Sequence, residues 1–312
     1  MRVTQSMLSN NMLRNLSSSY NKLGKLQEQI NTGKKVSRPS DDPVVVMKSL
    51  GYGMQVEKVD QFQKNLGQVN NWLDSSEDAL DGVGSILQRA KELATSAANS
   101  GAMTKEDRDK IKIELNQLQE QMRDLANTKV GDKYLFSGTM TDKPLFDKTA
   151  NAGEGGYPDL PTDVPAPTGP IVDGYTSNVE IEVFDSVSLR VNTNAAKMFK
   201  DIDKLFDGLN EKLVSGEAND DIDFGAAISN IDKQLDVVLT KRADIGARSN
   251  RAELMHNRLE MQEGAAKKQR SLNEDVDMEK TITEMITAET VHRAALSVGA
   301  RIIQPSLVDF LR

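Results

Sequence analysis

Hydrophobic side chains recur at steps of three and four through most of the chain, and this spacing predicts long amphipathic helices. The most regular run begins at Val59 and ends at Ala97, with polar residues at most of the positions between. Its members are Val59, Phe62, Leu66, Val69, Leu73, Ser76, Leu80, Val83, Leu87, Ala90, Ala94 and Ala97. At about 1.5 Å per residue, one helix over this run would be roughly 58 Å long, which is unusual for a globular domain.

Two further runs predict helices that return along the first. Residues 99–101 end the first run, and Thr104 with Asp107 three positions later resembles a capping box. The second run comprises Ile111, Leu115, Leu118, Met122 and Leu125. The third run comprises Phe224, Ile228, Ile231, Leu235 and Val238. The first two runs therefore predict an antiparallel helical hairpin, and the third adds a helix to the bundle.

The third run loses its phase before Leu254, Met261 and Leu272. This loss predicts that the buried face of the helix rotates at that point. Several methionines are interpreted as side chains that fill gaps in the buried seam, because the thioether chain is flexible and apolar. They are Met54, Met122, Met261 and Met285.

Both ends of the chain carry apolar stripes of their own, although chain ends are usually polar and frayed. Isolated helices are marginal in water, so we expect neighbouring molecules to cover these stripes. The alternative is that both ends fold back on the chain's own bundle. The predicted assembly interface comprises Val3, Met7, Leu13, Leu16, Tyr20, Leu23, Ile30, Ile282, Ile286, Leu296, Ile303, Leu307 and Phe310.

The segment from 131 to 192 breaks the helical pattern. Residues 134–138 and 145–146 bracket a polar turn and predict one β-hairpin, and alternating hydrophobic residues from 179 to 191 predict a second. The predicted fold is therefore mainly α, a long antiparallel helical-bundle rod with a small inserted β-rich lobe. The predicted division is 1–42 with 276–312 as a terminal coiled-coil assembly region, 43–130 with 193–275 as the rod, and 131–192 as an outer lobe.

Composition fits a helical rod and argues against several classes of protein. Only 38% of residues are hydrophobic and 4% are aromatic, which is too little for several thick globular cores. The net charge of −8 argues against a nucleic-acid partner, which needs an excess of Lys and Arg. Without cysteine the chain has no disulfides and no thiolate metal site. No apolar run suggests a membrane span or a cleaved signal peptide.

Residues that could carry catalysis are sparse. The two histidines, His256 and His292, both lie in the helical C-terminal region, and the many carboxylates fall in patterns typical of solvated helix faces. We therefore expect no enzyme activity, no metal, no cofactor and no small-molecule substrate. An enzyme housed in the β lobe is the weakest alternative, because no nucleophile and base are visible there.

Three segments resemble the bacterial flagellin family. Residues 30–43 read INTGKKVSRPSDDP and resemble the segment that follows the first flagellin helix, where an Asp-Asp turn opens the next helix. Asp42 suits an N-cap and Pro43 suits the first helical position. Residues 87–94 resemble the flagellin helix that packs between protofilaments, and residues 242–251 are similar to its returning partner.

This resemblance implies a secreted structural subunit of the bacterial flagellum. Residues 133–138, KYLFSG, and the ending at 303–312 resemble the members that join the hook to the filament. Such a subunit would contact copies of itself, a hook-side junction protein, flagellin and an export chaperone on its C-terminal helix. It would lie outside the cell and be exported without a cleaved signal peptide. Filament flagellin itself and a cytoplasmic coiled-coil adaptor are the alternatives. The lateral contacts implied between subunits fall on Gln88, Arg89, Glu92 and Leu93.

Overall fold

The chain is mainly helical, as predicted. A computed structural model describes residues 5–98, 104–147, 156–158, 160, 173–215 and 224–303. In order, the elements are α1 (Gln5–Thr32), α2 (Pro43–Ala98), α3 (Lys105–Ala126), β1 (Lys129–Val130), β2 (Lys133–Tyr134), a 3₁₀ turn (Asp173–Tyr175), β3 (Glu180–Phe184), β4 (Val187–Arg190), α4 (Ala196–Ser215), α5 (Gly225–Glu274) and α6 (Met278–Ile303).

The chain divides into two compact units. The terminal unit combines Met1–Lys58 with Met261–Arg312, and the central unit is Val59–Glu260. The long helices α2 and α5 each contribute residues to both units. The three-part division expected from the sequence stays a prediction.

In the central unit, the long seam of α2 forms the core as predicted. All twelve residues of the seam are buried, from Val59 to Ala97. The helix runs antiparallel to α5, because Lys91 Nζ contacts Asp232 Oδ1 at 2.6 Å while Arg242 Nη2 contacts Glu77 Oε1 at 2.7 Å. A narrow stripe of apolar residues is therefore sufficient to bury one face of a long helix.

The start of α3 also follows the prediction. The backbone N–H of Asp107 donates to Thr104 Oγ1 at 3.3 Å, so Thr104 caps the helix. Leu115 and Met122 are fully buried, whereas Ile111, Leu118 and Leu125 pack at the edge of the core.

The predicted rotation of the buried face of α5 is wrong. Leu254, Met261 and Leu272 are 68%, 71% and 70% exposed. The buried positions continue at intervals of seven and comprise Ile231, Val238, Ile245, Ala252, Leu259 and Ala266. Two of these six are alanines, so the sequence shows the large exposed side chains of the solvent face more strongly than the buried face. The interpretation of Met261 as a gap-filler is wrong for the same reason, and Met54 is also exposed, whereas Met122 is fully buried.

The first β-hairpin lies earlier in the chain than predicted. Strand β1 pairs with β2 across a turn at Gly131, where φ is +60°. The segment expected to form this hairpin instead places Leu135, Phe136 and Leu145 in the core without strand pairing. Few residues separate the end of α3 from Gly131, and glycine accepts positive φ without strain, so the chain turns there. Strands β3 and β4 pair as predicted, with Ser186 in their turn.

A buried charged network joins α3 to α4 in the central unit. The guanidinium of Arg123 donates to Asp203 from Nε at 2.8 Å and from Nη2 at 3.1 Å. Gln119 Nε2 donates to the same carboxylate at 2.9 Å and to Asp207 at 2.8 Å. The Arg123 guanidinium also lies 4.6 Å from the ring centroid of Phe146. Because the Asp203 side chain is only 3% exposed, the carboxylate depends on these donors for its solvation.

In the terminal unit, α1 packs antiparallel against α6. Tyr20 faces His292 with ring centroids 6.1 Å apart, and Gly299 lies so close to Met12 that an added Cβ would clash with the Cε atom of Met12. Beyond α1 the backbone of Gly33 accepts a hydrogen bond from the N–H of Val276 at 2.9 Å. The chain therefore closes the unit by pairing the end of α1 with the start of α6.

Replacing Gly33 with alanine is expected to lower the free energy of unfolding by about 1 kcal/mol, because Gly33 has φ of +69° at the end of α1. An added Cβ would meet no atom within 4 Å, so backbone strain is the only cost. Gly24→Ala in the interior of α1 is the matched control and should stabilise the chain slightly. Urea denaturation would measure both variants. Equal stability of the Gly33 variant and the unchanged chain would contradict this account.

Candidate assembly surface

Exposed apolar side chains are concentrated in the terminal unit. Nineteen large hydrophobic residues of the described chain are exposed, and fifteen of them lie in this unit. The described part of the central unit is longer, yet it contains only four exposed large hydrophobic residues, namely Ile113, Val237, Leu239 and Leu254. Clusters of exposed apolar residues mark interaction surfaces more often than scattered single ones do.

Most of the predicted interface residues that the structure describes lie on the outer faces of α1 and α6. Tyr20 is 69% exposed and Ile286 is 57% exposed. Met7, Leu13, Ile282 and Leu296 are also exposed, whereas Leu16, Leu23 and Ile30 are half-buried. Val3, Leu307 and Phe310 lie outside the described residues, as does the side chain of Ile303. Three further exposed residues of α6 were absent from the predicted interface: Met278, Val291 and Val298.

The pairing of α1 with α6 covers only a narrow strip of each helix. The buried residues of the pair are few and mostly small, namely Leu26, Thr281, Ala288 and Gly299. Two packed helices can bury one face each, so an apolar stripe wider than that face stays in contact with water. Within the described chain, the outer parts of the stripes on α1 and α6 have no cover.

A second apolar stripe, not predicted, lies at the start of α2. Val44, Met47, Leu50 and Met54 are all exposed, and Met47 and Met54 are each about two-thirds exposed. Their spacing of three, three and four residues places them on one face of the helix. That spacing is visible in the sequence, but the outward position of these residues is set by Asn273 and Glu274, far along the chain, which no local pattern indicates. We name these four residues the α2-start stripe.

Polar contacts fix how the start of α2 is oriented. Asp42 caps the helix by accepting from the N–H groups of Val44 and Val45 at 3.0 and 3.1 Å. Asn273 Nδ2 donates to the carbonyl of Val45 at 2.9 Å, and Ser49 Oγ donates to Glu274 at 2.6 Å. The polar side of this segment therefore faces the end of α5, and the α2-start stripe faces away from it.

Glu274 is the centre of this arrangement. Its side chain is 10% exposed and forms ion pairs with Lys34 and with Arg270, whose Nε lies at 3.0 Å. Burial alone raises the pKa of Glu274, but hydrogen bonds from Lys34, Ser49 and Arg270 outweigh burial and lower the pKa to about 2. The backbone carbonyl of Glu274 also accepts from the N–H of Lys35 at 2.7 Å. One residue thus ties together the end of α1, the start of α2 and the end of α5.

Because the pKa of Glu274 is low in the folded chain, we predict that its contribution to the free energy of unfolding is lost at acidic pH. An unfolded glutamate titrates near 4.5, whereas folded Glu274 titrates near 2. The stabilisation is therefore complete above pH 4.5 and is lost as the pH falls towards 2. At neutral pH, Glu274→Gln is expected to cost about 2 kcal/mol in the free energy of unfolding.

Urea denaturation at several pH values would test this prediction. The difference between the unchanged chain and Glu274→Gln should shrink below pH 4.5 and vanish near pH 2. Glu284→Gln on the exposed face of α6 is the matched control and should have little effect at any pH. A difference that stayed constant from neutral to acidic pH would refute the role of the Glu274 charge.

The residues predicted for lateral contacts lie on α2 in the central unit. Gln88, Arg89 and Glu92 are exposed, and Arg89 pairs with Glu114 at 2.7 Å and with Glu92 at 2.9 Å. Leu93 is only 7% exposed and belongs to the core. The outward surface at this position is therefore polar and charged, and the side chain of Leu93 points away from it.

The described residues contain no group of three or more His, Asp or Glu side chains placed to hold a metal ion. His256 lies 3.4 Å from Glu260 on the surface of α5, and His292 lies against Tyr20. No helix in the described ranges is long and apolar enough to cross a membrane. The most distinctive surface of the described chain is therefore apolar and belongs to the terminal unit.

Two family models match the chain. Residues 3–141 match the bacterial flagellin N-terminal helical region, and residues 228–311 match the bacterial flagellin C-terminal helical region. The flagellar hook-associated protein 3 of Escherichia coli (strain K12) is 26% identical over 94% of this chain and 93% of its own length. A flagellin of Bacillus subtilis (strain 168) is 24% identical over 96% of both chains.

Solved structures share the fold. The structure of the flagellar junction protein FlgL from Legionella pneumophila superposes with a TM-score of 0.54 and 15% identity. The match covers 73% of this chain and all of the solved one. A FlgL structure from Bacillus cereus superposes with a TM-score of 0.55 and 21% identity, over 71% of this chain and 99% of the other. At these identities the likeness concerns the fold alone.

Proposed function

Since this chain belongs to the bacterial flagellin family and is a structural component of the flagellum, we propose that it forms the layer that joins the hook to the filament. In this layer it would bind a hook-side junction protein on one side and flagellin on the other. The subunits would assemble through the apolar stripes of α1 and α6. Its role would be mechanical, with no catalytic step.

The exposed apolar surface of the terminal unit is the observation that carries this proposal. Fifteen large hydrophobic side chains face water there in the single chain. Each Leu, Ile, Val or Met side chain that becomes fully buried contributes about 1.5 to 3 kcal/mol. Covering half of them in an assembly would contribute a free energy comparable to the usual net stability of a domain, which is about 5 to 15 kcal/mol. Self-assembly therefore has a sufficient driving force.

The junction role is supported by the relatives that match over most of their length. One is named a hook-associated protein and spans nearly the whole chain, and a solved neighbour is named a junction protein. The runner-up is filament flagellin, which the flagellin of Bacillus subtilis favours with a similar identity and coverage. A filament subunit should polymerise alone into long filaments, whereas a junction subunit should stop at a short layer.

The partners follow from this position in the flagellum. Copies of the chain would contact one another head to tail through different faces, because such contacts build rings or helical layers instead of closed dimers. The exposed side chains of Gln88, Arg89 and Glu92 would contribute polar contacts to neighbouring subunits. An export chaperone would shield the apolar stripe of α6 before assembly, and the subunit would be exported without a cleaved signal peptide.

Deleting the gene from the bacterium tests the proposal. The expected result is a cell that carries hooks without filaments and releases flagellin into the medium, and a plasmid copy should restore filaments. Electron microscopy of the cells and immunoblotting of the medium would record both. Normal filaments would refute the junction role. The absence of flagellin from both cells and medium would instead support the filament alternative.

A further inference from the structure

The α2-start stripe is an exposed apolar surface. Rotating the start of α2 about its own axis could not bury it without breaking other contacts. Val44, Met47, Leu50 and Met54 extend over eleven residues, or about 15 Å of helix. Turning this stripe inward would break the hydrogen bond from Asn273 to the carbonyl of Val45 and that from Ser49 to Glu274. It would also leave the buried carboxylate of Glu274 without one of its donors, which is costly. The stripe is therefore held in an outward position.

Charge narrows the choice of helix that could pack on this stripe. Lys48 is the one charged residue between positions 43 and 54, and it is exposed beside the stripe. Helix α1 carries Arg14, Lys22 and Lys25 and has no acidic residue before Glu28. A second positive surface would repel Lys48, so α1 of another copy is a poor partner.

The start of helix α6 offers both an exposed apolar stripe and a negative charge that could pair with Lys48. Met278, Ile282 and Ile286 are exposed at intervals of four residues and form a stripe about 12 Å long. Glu279 lies exposed beside them, in the first turn of the helix. Its carboxylate could face Lys48 while the two apolar stripes pack together. In the described chain both stripes are exposed, so the α6 stripe that fits must come from a different molecule.

We propose that the α2-start stripe of one copy packs against Met278, Ile282 and Ile286 on α6 of a neighbouring copy. This inference rests on the proposed function, because it names the surface that covers part of α6 in the assembled layer. The contact joins two different faces, so it can repeat from copy to copy around a ring or helix. It leaves the pairing of α1 with α6 inside each copy intact.

Disulfide trapping tests this contact cleanly, because the chain contains no cysteine. Met47→Cys copies and Ile282→Cys copies would be expressed together in the deletion strain, so that a bond between these two positions can form only between molecules. After oxidation of isolated flagella, a covalent dimer of the two variants is expected. It should exceed the dimer of the control pair by on the order of tenfold, since the bond needs Cβ atoms about 4 Å apart.

The control pair is Met47→Cys with Ile113→Cys, because Ile113 is an exposed apolar residue of the central unit. The contact is supported if cells that carry filaments form the dimer with the Met47→Cys and Ile282→Cys pair and not with the control pair. Dimers no more abundant than those of the control pair overturn the proposed contact. The contact is also overturned if Met47→Cys forms disulfides only with an engineered cysteine in flagellin or in a hook-side protein. If the unchanged chain does not restore filaments to the deletion strain, the proposed function itself fails.

Discussion

Replacing Ile286 and Leu296 together with glutamate is expected to abolish filament attachment while the chain stays folded. Ile286 is 57% and Leu296 47% exposed on α6 in the single chain, and neither belongs to the buried core, so the change should cost the fold little. In the assembly the two glutamates would lie where the proposed interface excludes water, and burying an unpaired charge costs several kcal/mol. The penalty would recur at every subunit of the layer.

The matched control is Ile113→Glu, which places the same charge on an exposed apolar residue of the central unit. Filaments should remain normal in that variant. Circular dichroism and the urea midpoint of each purified variant should match those of the unchanged chain. Filament counts by electron microscopy would then separate assembly from folding. If the α6 variant still attached filaments, or if Ile113→Glu lost them equally, the assembly surface would not be where we propose it.

Replacing Asp203 with alanine is expected to cause the largest loss of folding stability, about 3 to 5 kcal/mol. Asp203 accepts from two nitrogens of Arg123 and from Gln119 in a site where its own side chain is 3% exposed. Without the carboxylate, the Arg123 charge would remain largely buried beside Phe146. Its remaining partner in an ion pair is the exposed Glu120, whose Oε1 lies at 3.8 Å, so the cost comes from this poorly compensated cation more than from the attraction that is lost.

Urea denaturation of the purified chain measures this effect. Glu114→Ala is the control, because it also removes a partner of an arginine, Arg89, but on the exposed surface of α2 and α3. That change should cost far less than Asp203→Ala, because exposed ion pairs contribute little. Similar losses in the two variants would mean that burial does not govern the strength of the Arg123 pair.

The sequence predicted the parts of this fold that follow a strict local rule. The twelve residues of the α2 seam, the Thr104 cap and the pairing of β3 with β4 all follow from spacing or from a turn. The opening of α2 by Asp42 and Pro43 was predicted in the same way. Each of these features depends on residues only a few positions apart, which a sequence displays directly.

Features that depend on small residues or on distant partners were not predicted. The buried face of α5 passes through Ala252 and Ala266, which give a weak hydrophobic signal, so the sequence predicted a rotation that the structure does not contain. The α2-start stripe was missed because its outward position is set by Asn273 and Glu274. No local pattern indicates that a serine at position 49 will meet a glutamate at position 274. The exposed ends, by contrast, were predicted because a stripe at a chain terminus is unusual by itself.

The tie at Glu274 also bears on the order in which the chain can fold. Ser49 and Glu274 are separated by 225 positions, and Lys35 Nζ donates to the carbonyl of Leu272 across 237 positions. Contacts between such remote residues form late, because a long loop must close before they yield any stabilisation. The terminal unit therefore cannot complete its fold until the segments around residues 35–49 and 272–274 are both available. A subunit that crosses a narrow channel as an extended chain would therefore keep its terminal unit unfolded until most of the chain has crossed. The terminal unit would complete its fold at the site of assembly.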